Sequence, residues 1–137
     1  MDFIATSLSG LPAFGLYLGT ALVLTIIFSF VYTLLTPHHE WTLIKENNEA
    51  ASIAFSGSLI GFVLPLCSAI EASVNLVDMA VWGLVALVVQ LVVYLLIRLV
   101  VMPRISQRIK DNERAAGIFL GVASIAGGLL SAASMSY

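Results

Sequence analysis

Pro65 is the residue with the clearest chemical consequence. Proline has no N–H, so within a helix it leaves the carbonyl four residues back, that of Gly61, without its usual donor. Inside a membrane such a carbonyl needs a donor, a water or an ion. A second weak point, Gly127-Gly128, lies near the other end of the chain. Paired Gly/Pro interruptions point to a transport site, with freed carbonyls as ligands and the hydroxyls of Ser58, Ser68, Ser124 and Ser131 beside them. Gln90 would add a carboxamide near the middle of its apolar run. The plainer reading is a kink satisfied by neighbouring side chains, with Gln90 hydrogen-bonded to the next helix. The spans carry no Asp, Glu, Lys or His at their centres, so a proton relay built on carboxylates or imidazoles has nothing to stand on there.

Other chemistry-bearing residues are sparse. His38-His39-Glu40 invites a metal reading, but adjacent histidines point to different sides of a helix, and no further Cys or His stands near to complete a site. Beside Trp41, the stretch reads equally well as an interfacial loop. The one cysteine, Cys67, rules out an intramolecular disulfide. No nucleophile–base pair, phosphate-cradling glycine loop or catalytic carboxylate pair is present, so neither an enzyme, a metal nor a cofactor is expected.

These residues must be positioned by helices in lipid. The chain has 137 residues, 60% hydrophobic and 10% charged, with a mean hydropathy of +1.03, whereas a soluble domain carries roughly a quarter charged residues. Charged residues are absent from 3–39, 50–70, 79–97 and 115–137, and about 20 apolar residues suffice to cross the hydrocarbon core. Helices are expected at about 11–35, 48–72, 75–102 and 113–135, with Thr36-Pro37 and Pro103 as stops. Asn48-Glu49 and Asn112-Glu113 are read as helix starts. Arg98, one turn inside the third helix, is expected to snorkel to the headgroups. No basic segment precedes the first span, so it is read as a permanent helix and not a cleaved signal.

All six basic residues lie in or beside the first and third loops. The positive-inside rule then puts those loops in the cytoplasm and both termini outside. Within the third loop, Ile105 and Ile109 share one face, and Arg104 and Arg108 another. With Lys110, these form a short amphipathic segment expected to lie on the membrane surface, binding anionic lipid or a partner protein. A net charge of -2 and a pI near 5.5 offer no field for nucleic acid.

Small residues fall into helical stripes: Ala50, Ala54, Gly57, Gly61, Pro65, Ser68 and Ala72 on the second helix, and Gly117, Gly121, Ser124, Gly128 and Ala132 on the fourth. Gly15 and Gly19 add a GxxxG spacing on the first. Such stripes let helices pack closely, within the bundle or between subunits. A shift of 65 residues lays Ile44-Lys45-Glu46-Asn47 on Ile109-Lys110-Asp111-Asn112 and Ala50-Ala51 on Ala115-Ala116. We read one membrane domain over 1–137 built from two hairpins of the same orientation, about 11–72 and 76–137.

The stretches 48–70 and 115–135, together with this duplicated hairpin, resemble the YjfL-type family of bacterial inner-membrane proteins. The resemblance implies a four-span fold in the inner membrane and no assigned activity. It also implies a cytoplasmic envelope-stress protein as a partner, because genes for members often neighbour such proteins' genes. The expectation is thus an all-α integral membrane protein with four transmembrane helices as two parallel-oriented repeats, assembled as a homo-oligomer. Its function is read as a channel-like or small-solute pathway around Gly61, Pro65, Ser68, Gln90, Ser124, Gly127 and Gly128. The alternative is a membrane scaffold that recruits its partner through the basic loop.

Overall fold

The computed structural model describes residues 2–36 and 40–135, and these are helical with no strand among them. A short α1 (Asp2–Leu8) leads into α2 (Leu11–Leu35). Then follow α3 (Glu40–Lys45), α4 (Glu49–Ala72) and α5 (Leu76–Leu96), the last continued by a π-helical turn at Ile97–Val101. The chain closes with α6 (Ile105–Lys110) and α7 (Arg114–Ser134). Four segments, Asp2–Leu35, Glu49–Ala72, Leu76–Val101 and Arg114–Ser134, are long and apolar enough to cross a membrane. Only a helix satisfies every backbone group of such a segment from within itself.

Local chemistry sets the boundaries. Thr36 leaves the helical region (φ -81°, ψ 128°) ahead of Pro37. Asn48 caps α4 by accepting from the Ala51 N–H at 2.8 Å, and Asn75 caps α5 by accepting from Asp78 at 2.9 Å. Two residues past the ends of the short helices α3 and α6 stand Asn47 and Asn112, whose φ angles of 64° and 56° fall in the left-handed region that asparagine tolerates. These two asparagines are 65 positions apart, as are the first residues of α2 and α5, of α3 and α6, and of α4 and α7.

Packing centres on α4, half of whose apolar window is buried against 22% for the first span. Its most extensive neighbour is α7, which runs alongside it in the same direction, with Glu49 near Arg114 and Gly57 against Gly121. An aromatic group fills the space between α2, α4 and α5. Phe28 stacks on Phe62 with ring centroids 4.7 Å apart, and Tyr32 meets Tyr94 edge-on at 5.2 Å.

Three local expectations are corrected. Asn112 does not start α7, which begins from Glu113 without a side-chain cap. Its Oδ1 instead accepts from the Ala50 N–H at 3.1 Å, because the left-handed turn aims it at the start of α4. Arg98 does not reach out to the headgroups. The π-helical turn directs its guanidinium inward, where Nη1 donates to the Leu35 carbonyl at 3.0 Å and closes the end of α2. Nor does α6 lie loose on the surface. Ile105 and Ile109 are fully buried, so its apolar face packs into the bundle.

Candidate functional site

A line of polar side chains is buried at the end of the bundle that carries the basic loops. Its deepest member is Gln90 on α5, 2% exposed, whose Nε2 donates to the Ser124 carbonyl of α7 at 2.9 Å. Gln90 Oε1 has no hydrogen-bond partner among the described residues. The Ser124 hydroxyl lies 3.3 Å from that of Ser58 on α4, and Ser58 donates to the Tyr32 hydroxyl on α2 at 3.1 Å. Tyr32 in turn lies within hydrogen-bonding reach of Glu40 on α3. Because Ser58 donates to Tyr32, and a carboxylate can only accept, every proton in the line points towards Glu40. Ser124 then donates to Ser58, Ser58 to Tyr32, and Tyr32 to Glu40.

Tyr94 joins this group from α5. Its hydroxyl faces Ser106 of α6 without closing a well-formed hydrogen bond, and both Glu40 and Arg98 act on it electrostatically. Tyr32, Ser58, Ser124, Glu40 and Tyr94 are each at most 1% exposed. Past Gln90 the interior turns apolar, with Phe62, Leu66, Leu24 and Met79. The polar line therefore enters from one end and stops near mid-depth.

The close pairing of α4 and α7, which carry Ser58 and Ser124, is set by glycine. A Cβ on Gly57 would run into the backbone of Gly121, one on Gly117 into Ala50, and one on Gly128 into the carbonyl of Gly61. Such close approach lets Cα–H groups face carbonyl oxygens, a weak bond that suits the carbonyl released by Pro65. The Gly61 oxygen is therefore turned into the α4–α7 seam, against Gly128.

Of the residues expected to share a pathway, Gly61, Gln90, Ser124 and Gly128 come together. A Cβ on Gly61 would strike both the Ser124 carbonyl and Gln90 Nε2. Pro65 is buried one turn beyond, and Ser68 is half-buried further along α4. Gly127 faces the other way, against Val93, and lines an outward groove with Trp82, Leu130 and Ser131. Gly57, Gly117 and Gly121 sit in the α4–α7 seam. Gly15 and Gly19 meet nothing within 4 Å and lie on an open groove of α2. In the third loop Arg104 and Lys110 are exposed, while Arg108 is held by Glu113 at 3.4 Å and contacts Met102 Sδ at 3.6 Å. His38 and His39 lie outside the described residues. Among the described residues no three of His, Cys, Asp and Glu gather as a metal site.

Tyr32 and Tyr94 were not singled out in the sequence, and Glu40 only as part of the His38-His39-Glu40 stretch weighed for a metal. One signal does mark Glu40: the 65-residue shift lays it on Ile105, an isoleucine buried in the interior. A carboxylate at that position breaks the apolar pattern.

Comparison with known proteins adds the following. The family model described as Domain of Unknown Function (DUF350) matches residues 6–135. The chain is similar to the UPF0719 inner membrane protein YjfL of Escherichia coli strain K12, 48% identical over 130 residues that cover 95% of this chain and 98% of that protein. It is also similar to the UPF0719 transmembrane protein YshE of Bacillus subtilis strain 168, 28% identical over 111 residues, 80% of this chain and 82% of that one. No solved structure matches the chain.

Proposed function

The chain belongs to the DUF350 family of UPF0719 inner-membrane proteins, and on that premise we propose that it is a non-enzymatic membrane component whose homo-oligomer supports passage of a small ion or solute. The observation that carries this reading is the buried polar line from Glu40 through Tyr32, Ser58 and Ser124 to Gln90. Buried polar groups in a membrane interior are expensive and tend to mark routes or sites. The α4–α7 seam is closed by backbone contact, so the path does not run through the carbonyl freed by Pro65. It follows the hydroxyls to mid-depth and needs a second subunit to continue. Gly15 and Gly19, where a Cβ would meet nothing within 4 Å among the described residues, offer a surface for that contact.

Flux into liposomes containing the purified protein tests the reading. Wild-type protein should pass protons or a small monovalent cation, and Ser58→Val should lower the rate at least about tenfold, since a methyl group breaks the line where it has no alternative. No flux from wild-type protein, or equal flux from the variant, would remove the pathway from consideration.

A second reading has its own observation. Arg104 and Lys110 stay exposed while Ile105 and Ile109 anchor α6, which leaves exposed positive charge for anionic lipid or a cytoplasmic envelope-stress protein. Replacing both by Gln should weaken binding to anionic vesicles or to the captured partner. Unchanged binding in both assays counts against it.

A further inference from the structure

Glu40 stands out against its own counterpart. It opens α3 as Ile105 opens α6, 65 residues on, and both side chains are buried, at 1% and 0% exposure. Ile44 and Ile109, one turn further along, are also counterparts and apolar. One of the two equivalent interior positions therefore holds a hydrocarbon and the other a carboxyl group. A rule of packing broken on one side only is a mark of function.

The surroundings are built for a carboxyl that changes charge. Tyr32 reaches it from α2, with Ser58 of α4 donating to Tyr32 and Ser124 of α7 behind Ser58. Tyr94 on α5 is near enough to feel the charge of Glu40, and it is itself influenced by Arg98 of the π-helical turn and Ser106 of α6. Next to it in sequence stand His38 and His39.

We propose that Glu40 is a proton-binding site, and that its charge sets the direction of the hydroxyl line reaching Ser124. As a carboxylate it accepts only, so Tyr32, Ser58 and Ser124 all donate towards it. When it takes a proton from a hydronium ion at the basic end, an O–H bond forms on the carboxyl as one in the hydronium breaks, and a water molecule is released. The acid can then donate to Tyr32, and the line is free to reverse, with Tyr32 donating to Ser58 and Ser58 to Ser124. The ligand is the proton itself. The inference does not rest on the pathway reading, because a titrating Glu40 without flux leaves the site intact.

Infrared difference spectra of the protein in lipid, recorded between acid and alkaline pH, test it. Wild-type protein should show the carbonyl band of a protonated carboxyl group that is missing in Glu40→Gln. In Tyr32→Phe, which keeps the ring packing, the same band should titrate at higher pH because the carboxylate has lost a donor. It should persist when His38 and His39 are both changed to Gln. The proposal is overturned if no band depends on Glu40, if Tyr32→Phe leaves the titration in place, or if the band vanishes with the histidines.

Discussion

At Gly57 the backbone of Gly121 occupies the space that a methyl group would need, and at Gly15 nothing does. The same residue type in the same spacing thus has opposite consequences on α4 and α2. Gly57→Ala and Gly121→Ala should each destabilise the bundle by about 1–3 kcal/mol, as overpacking usually does. Gly15→Ala and Gly19→Ala should leave the stability of the single chain unchanged. Unfolding in detergent micelles measures both, and a fully stable Gly57→Ala would show that the α4–α7 seam is misplaced. The stripes of small residues were legible in the sequence, but which stripe has a partner depends on the rotation of each helix, and hydropathy of a uniformly apolar run says little about rotation. The polar line was only half legible. Ser58, Ser124 and Gln90 stood out as polar residues in apolar runs, whereas nothing in the sequence separates Tyr32 and Tyr94 from aromatic residues that only fill space. Glu40 passed as part of a loop, because its burial comes from α3 folding back onto the bundle.

At the level of elements, the ends of the four long helices could be read within a residue or two, since charge, Asn and Pro mark where apolar runs stop. What could not be read is which helix a capping residue serves. Asn112 satisfies the Ala50 N–H of α4, and Asn48 returns the contact by donating to the Ile109 carbonyl at 2.9 Å. The two junctions are therefore tied together across 62 and 61 positions of sequence. Asn112→Ala should cost about 1 kcal/mol through the lost cap, and it should speed amide exchange at the first turn of α4 more than at α7. Faster exchange confined to α7 would return Asn112 to the role its place in the sequence suggested. Arg98 makes a similar point: a snorkelling cation was the reasonable expectation, and the π-helical turn that redirects it has no residue signature in Ile97–Val101.

For the molecule as a whole, the fold follows from composition with little ambiguity, while the direction of insertion rests on where six basic residues fall. A fluorescent reporter that matures only in the cytoplasm should stay dark when fused after Tyr137 and shine when inserted in the third loop. The reverse pattern would invert the molecule and place Glu40 at the outer surface. Function depends on whether the polar line is wet. The buried, apolar Phe62 and Leu66 make it a half-path in one chain, so water must reach the hydroxyls of Ser58 and Ser124 but not the side of Phe62. In a Cys67→Ala background, Ser58→Cys and Phe62→Cys can be compared for reaction with a small water-soluble thiol reagent added at the basic end. The account predicts that position 58 is labelled far faster than position 62. Equal labelling, or none at 58, would mean that the line is dry and that the buried hydroxyls only hold the helices together.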